Sequence, residues 1–337
     1  MSARLLRLQT SHAAALKEFL ETPGELPWPG MRQASERLRR GVLSWQMRQH
    51  LELPAAQALT LAAVAPSTAG AAAAPEIEGL AQVRLLEWDT GVLSTGCGRV
   101  DALRARGSYT QQRATLAEVL PPALAWLRDH GVRLVHARLP ILARAAIHTL
   151  EEAGFRFMTC LACFYRAPGS FSAAWTRSLA QRFQVRRGRR GDLPHLQTMA
   201  LGAFQQNRFS LDARLDAGRV DRLYAAWISG ALQRRQNRLL VCEQQKKPIA
   251  FLLYEVQRFT VGRERLRLGR LVLAASATAE RSRGAALACL LRCMEEQQGQ
   301  VDVLEAVVGT TNDAACRALR RFGFHCLNTL IDLHAWL

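Results

Sequence analysis

Asn312-Asp-Ala-Ala-Cys-Arg-Ala-Leu-Arg-Arg-Phe-Gly-Phe324 lies close to the end of the chain, and Ala143-Arg-Ala-Ala-Ile-His-Thr-Leu-Glu-Glu-Ala-Gly-Phe155 lies half a chain length before it. Each sets a helix of matching length ahead of Gly-Phe and then enters an apolar, strand-like run. A period near half the chain predicts a duplicated domain, so each half can be read against the other. Only the second copy keeps the polar residues that chemistry needs: Ala143 stands where Asn312 stands.

Working outward, 337 residues are enough for two domains of about 100–200 residues. With 49% hydrophobic and 22% charged residues, the chain can bury two cores. The start, MSARLLRLQTSHAAALKEF, has no apolar core followed by a small-residue cleavage site, so no signal peptide is expected. Stretches such as Ala55–Ala74 are Ala-rich but broken, short of the roughly 20 apolar residues of a span. The expectation is a cytoplasmic protein without a membrane partner. Cysteines 97, 160, 163, 242, 289, 293, 316 and 326 are scattered through apolar segments. The Cys160/Cys163 pair would point to opposite faces of a strand, so no metal site is expected and buried thiols are the favoured reading.

The net charge of +17 invites a nucleic-acid partner. Against it, Lys17, Lys246 and Lys247 are the only lysines, and the arginines occur in every segment instead of lining one helix. Only Arg186-Arg-Gly-Arg-Arg190 is dense. That distribution looks like base composition, and an acidic small ligand could use part of the same field.

Periodicity predicts similar halves, roughly β-α-α-β-β-β-α-β-α-β, a mixed α/β domain with antiparallel hairpins and a β-α-β crossover. In the first half, strands are expected at Arg4–Leu8, Ala58–Val64, Ile77–Trp88, Val132–Arg138 and Phe155–Tyr165, with helices at Gln33–Leu51, Arg113–His130 and Leu142–Ala153. Pro121-Pro122 should kink or divide the second of these helices. In the second half, Asp192 is expected to cap a helix running to Phe204. Further helices are read at Asp216–Leu232, Ala285–Gln297 and Asp313–Phe322, among strands at Leu239–Glu243, Pro248–Val256, Arg265–Ala275, Val301–Val308 and Phe324–Trp336. Residues 1–167 and 183–337 are the predicted domains, joined by a linker over 168–182.

Arg281-Ser-Arg-Gly-Ala-Ala286 lies between a strand and a helix. A small-residue loop opening a helix aims unpaired N–H groups and the positive end of the dipole outward, which suits a pyrophosphate. A plain helix start is the alternative. In this context, Arg281–Ala286 resembles the Q/R-x-x-G-x-G/A loop of the GCN5-related N-acetyltransferases (GNATs), and Asn312, Ala315 and Gly323-Phe324 resemble their N-x-x-A…G-F segment. The resemblance covers about Phe183–Leu337 and implies a tandem acyl-CoA N-acyltransferase fold, a mixed sheet flanked by helices, with the N-terminal copy degenerate. It implies acetyl-CoA as co-substrate, held by Arg281, Ser282, Arg283, Gly284, Ala285 and Ala286, with Asn312 on the pantetheine arm. Leu273, Ala274, Ala275 and Ser276 would line the acyl group. For Asn312 the alternative is a helix cap.

The first half offers Arg104-Ala-Arg-Gly-Ser-Tyr109 at the loop, with bulky Tyr109 where Gly or Ala is wanted, so it is not expected to bind the coenzyme. Leu86-Glu-Trp-Asp89, Arg208-Phe-Ser-Leu-Asp212 and Leu223-Tyr-Ala-Ala-Trp227 resemble the dTDP-fucosamine acetyltransferases, which implies an amine on a nucleotide-linked sugar as acceptor. Core packing is the alternative for Trp88 and Trp227. Many relatives place a Tyr seven residues after the Asn, where this chain has Leu319. Tyr254, Glu255 and His325 are the candidates for the missing proton transfer. A protein or small-amine acceptor, and a catalytically silent basic scaffold that binds nucleic acid, remain as alternatives.

Overall fold

The computed structural model describes residues 4–21, 50–65, 75–169, 174–231, 233, 237–261, 263–277 and 284–337. Most of the predicted Gln33–Leu51 helix lies outside them. The chain forms two compact units: residues up to Thr159 join Leu330–Leu337 in the first, and Cys160–Thr329 make the second.

The first unit has a sheet of β1 (Arg4–Arg7), β2 (Ala58–Val64), β3 (Ile77–Leu85), β4 (Cys97–Ala105), β5 (Leu134–Pro140) and part of β12 (His325–Trp336), in that spatial order. Only the β4–β5 pair is parallel, and α3 (Tyr109–Asp129) makes the crossover between them. Helix α1 (Ala13–Glu21) buries Leu16, Phe19 and Leu20 against Ala62, Val64 and Leu80. Helices α2 (Glu87–Leu93) and α4 (Arg144–Glu152) complete the unit.

The second unit repeats the plan with β7 (Gln184–Arg187), β8 (Asn237–Gln244), β9 (Lys247–Val261), β10 (Glu264–Ser276), β11 (Val303–Gly309) and part of β6 (Arg156–Arg166). Here β10 and β11 are the parallel pair, joined by α8 (Ala285–Gln297). Helices α5 (Ala174–Arg182), α6 (Leu193–Ala200), α7 (Ala217–Ala231) and α9 (Asp313–Arg321) surround the sheet.

The repeated Gly-Phe now has a physical meaning. Gly154 and Gly323 adopt φ of +90° and +78°, left-handed values that end α4 and α9. In both copies the Phe N–H returns to the carbonyl five residues back, Phe155 to Leu150 and Phe324 to Leu319, each at 3.0 Å. This is a Schellman ending, which satisfies the last carbonyls and turns a Phe inward. Phe155 and Phe324 are almost wholly buried, each worth about 1.5–3 kcal/mol of apolar burial. Beyond Gly-Phe the two copies exchange their last strands. After Phe155 the chain enters β6, whose Leu161–Arg166 closes the sheet of the second unit on β11. After Phe324 it enters β12, whose Leu330–Trp336 closes the first unit on β5.

Several local readings change. Strand β4 was missed, because Arg99, Asp101 and Arg104 interrupt its apolar alternation. Ile77–Leu85 stops short of Trp88, which lies in α2. Helix α3 runs through Pro121 and Pro122 as one element, and starts early because Ser108 and Gln111 form a reciprocal capping box. Within 168–182, helix α5 buries Leu179 in the second core, and its Trp175 meets Phe322 edge-on at 4.9 Å.

Asp192 precedes α6 but does not cap it with its side chain. Its carboxylate takes the Arg186 guanidinium at 2.8 and 2.9 Å and the Arg189 N–H at 2.7 Å. Arg186 holds the Asp192 pKa below its ordinary 3.8. A depressed carboxylate stabilises the fold fully above its unfolded-state value and loses that contribution as pH falls toward the folded one. Asp192→Asn is therefore expected to cost about 2 kcal/mol at pH 7. Urea denaturation should show the gap from wild type closing below pH 3.8.

Candidate active site

Strands β10 and β11 pair in parallel from Leu268–Val303 to Leu271–Ala306. There they part. A bulge at Val272 shifts the register of β10, and Leu273–Ser276 pair with β9 alone. On the other side, Val307–Gly309 pair with β6. The gap between the two strands is walled by main chain that has left its parallel ladder, with polar backbone groups available to a ligand. Its β10 wall carries Leu273, Ala274, Ala275 and Ser276, of which Leu273 is buried and Ala274 exposed.

Helix α8 opens after this wall. Its N-cap is Gly284, at φ +101°, which has no side chain with which to cap the first turn. Ala285 and Ala286 add no polar atoms there. The first N–H groups of such a helix carry a partial positive charge that favours an anion. Arg281, Ser282 and Arg283 lie outside the described residues. The first unit differs at this point: the Ser108 hydroxyl accepts from Gln111 N–H, and the Gln111 side chain accepts from Ser108 N–H at 2.8 Å. Its helix start is already capped by the chain. Tyr109 Oη also meets His148 Nδ1 at 2.6 Å.

Asn312 follows β11 and caps α9, its Oδ1 accepting the Ala315 N–H at 3.1 Å. The cap leaves its exposed amide Nδ2 as the group that can donate to a ligand. Leu319 is buried in the core with Phe322 and Phe324.

The three candidates for proton transfer fall in different places. Tyr254 is fully buried on the α8 side of the sheet. Its hydroxyl donates to Glu296 at 2.7 Å and accepts from Gln297 and Arg187 at 3.1 and 3.3 Å. Burial first, then Glu296, push its pKa up. Glu296 and Gln297 sit at the C-terminal end of α8, about 18 Å along the helix from Gly284, and Arg187 ends β7. His325 is exposed on β12. Glu255 points to the opposite face from Tyr254, since successive strand residues alternate.

There it belongs to a row that sequence reading did not single out. Register places Glu255 beside Arg270, Arg270 beside Glu305, and Glu305 beside Tyr165. Arg270 Nε donates to Glu305 at 2.7 Å, and its Nη1 reaches Glu255 at 3.5 Å. Burial works against the Arg270 charge, but Glu305 and Glu255 outweigh it and its pKa is raised. Burial and Glu305 likewise raise Tyr165. The row lies one residue before the strands part. Its clearest signal in the sequence was the lone Glu305 inside the otherwise apolar β11; Arg270 is one of three arginines in β10.

No protein-family model and no curated protein matches the sequence. The structure does have solved neighbours. A GCN5-related N-acetyltransferase from Sphaerobacter thermophilus superposes with TM-score 0.61 at 15% identity, over 99% of this chain and 95% of that one. A tandem GNAT protein from the clavulanic acid biosynthesis pathway gives 0.53 at 14%, over 99% and 98%. The fold is that of the tandem GNATs. A GCN5-related glucosamine N-acetyltransferase region of a fungal multi-domain GH3 β-N-acetylglucosaminidase gives 0.65 at 12% identity over 99% of this chain, which spans 38% of that protein. Within this tandem GNAT fold, Trp88 and Trp227 are 47% and 38% exposed, so neither is a core residue. Among the described residues no helix is long and apolar enough to cross a membrane, and no cluster of His, Cys, Asp or Glu could hold a metal.

Proposed function

We propose that the second unit is an acyl-CoA-dependent N-acetyltransferase that passes acetyl from acetyl-CoA to a primary amine by direct attack. The observation that carries this is the parting of β10 and β11 beside a helix start whose N-cap is a glycine. Arg281–Ala286 would hold the coenzyme pyrophosphate, and Asn312 Nδ2 would donate to the pantetheine arm. Leu273–Ser276 would wall the acyl group, with a backbone N–H of β10 polarising the thioester carbonyl. Glu255 is the residue we assign to take the amine proton. Its carboxylate reaches the sheet face just before the gap, whereas the Tyr254 hydroxyl is held by Glu296 and Gln297 far along α8 and by Arg187 of β7.

An amino sugar carried on a nucleotide is the leading acceptor. Its support is the resemblance of Leu86–Asp89, Arg208–Asp212 and Leu223–Trp227 to the dTDP-fucosamine branch, together with a structural neighbour described as a glucosamine N-acetyltransferase region. The test is release of free CoA thiol from acetyl-CoA in the presence of amino-sugar nucleotides, free amino sugars, small amines and basic peptides. Amine-dependent release is expected, greatest with the sugar nucleotides. Release with none of them, alongside steeply salt-dependent binding to nucleic acid, would favour a basic scaffold instead.

A further inference from the structure

The first unit has its own polar row at the equivalent register, and its charge is reversed. Here β4 and β5 pair in parallel from Cys97–Leu134 to Val100–Ala137, and a bulge at Asp101 comes next, as at Val272 in the second unit. One residue before the parting, register aligns Arg84 with Arg99, Arg99 with His136, and His136 with His334. The corresponding residues of the second unit are Glu255, Arg270, Glu305 and Tyr165. Two carboxylates have been replaced by a guanidinium and an imidazole.

The cations gather on few carboxylates. Asp101 is shared by Arg84, whose Nε lies 2.7 Å away, by Arg99, and by His50 at 3.0 Å. Arg138, two residues along β5 from His136, is paired in bidentate fashion with Asp332 at 2.6 and 2.8 Å. Among the described residues, Arg84 and Arg99 thus share the carboxylate of Asp101, while Arg138 holds that of Asp332. The arginines also feel one another: burial, then repulsion from Arg84 and Arg138, depress the Arg99 pKa despite Asp101. All three keep about a third of their side chains exposed, while His136 and His334 are buried in the strands beside them. Guanidinium forks that reach solvent over a buried floor are suited to an oxyanion, which they can grip through paired N–H donors.

We propose that the first unit holds a small oxyanion, a phosphate or carboxylate group, between Arg84, Arg99 and Arg138. The site is separate from the α3 start, which Ser108 and Gln111 have closed, and it does not depend on acetyl transfer by the second unit.

The test is thermal unfolding of the full chain titrated with inorganic phosphate or malonate, against sodium chloride at equal ionic strength. A saturable rise of about 3 °C beyond the chloride control is expected with at least one of them. Response to phosphate alone would assign a phosphate ester, and response to malonate alone a carboxylate. Arg84→Gln, which leaves Asp101 with Arg99 and His50, and Arg138→Gln should each raise the half-saturating concentration at least about tenfold. Gly284→Glu should leave the response intact. The proposal is overturned if neither anion exceeds chloride. It is equally overturned if both arginine variants respond like wild type, or if the response vanishes only in Gly284→Glu, which would put the anion at the α8 start.

Discussion

Gly284→Glu is expected to abolish the stabilisation of this protein by acetyl-CoA, with affinity falling at least about 100-fold. Gly284 stands at φ +101°, and a Cβ built there meets Leu179 Cδ2 at 3.0 Å and Phe183 Cε2 at 3.5 Å. A glutamate would set a carboxylate against the helix start where the pyrophosphate is proposed to lie. The fold should survive. The left-handed backbone costs about 1–2 kcal/mol, partly offset because an acid at a helix N-terminus is favourable. Thermal unfolding with and without acetyl-CoA reads the result, and a variant shifted as much as wild type would move the coenzyme elsewhere. Ser108→Ala is the matching change in the first unit. It should lower stability by about 1 kcal/mol through loss of the cap and leave the acetyl-CoA response unchanged.

The second large effect is on rate. Glu255→Gln should lower kcat by about 10²-fold or more while leaving the affinity for acetyl-CoA intact, as expected when a positioned proton acceptor is lost. Glutamine keeps the length of the side chain and an oxygen for Gln257, which now donates to Glu255 at 2.7 Å. Tyr254→Phe makes the contrast. It removes a buried hydroxyl with three partners, so stability should fall by about 1–2 kcal/mol and kcat should hardly change. Steady-state kinetics on the two variants separates the roles. A rate collapse in Tyr254→Phe with normal turnover by Glu255→Gln would reverse the assignment.

Much of this was legible because it is local. The Gly-Phe repeat is a helix ending with its own hydrogen bonds, and α8 was bounded to the residue, since an apolar stripe ahead of Gln297 and a glycine before Ala285 are short-range signals. Non-local features were not. Nothing near Leu161–Arg166 or Leu330–Trp336 records which parallel pair each will flank, because both are apolar strands that any sheet edge would accept. The failure at β4 is informative in another way. Arg99 and Asp101 break its apolar alternation, yet inside the sheet Asp101 pairs with both Arg84 and Arg99, and Arg99 stands at the position that the second unit uses for Arg270. Asn312 has the spacing of either a ligand contact or a cap; its Oδ1 caps α9, and its Nδ2 is the part left to test.

The central claim is asymmetry: two units of one fold, with a working coenzyme site only in the second. Calorimetric titration of the purified chain with acetyl-CoA tests it most directly. The account predicts one saturable site per chain, lost in Gly284→Glu and kept in Ser108→Ala. Two sites per chain, one site that survives Gly284→Glu, or no binding at all would contradict it.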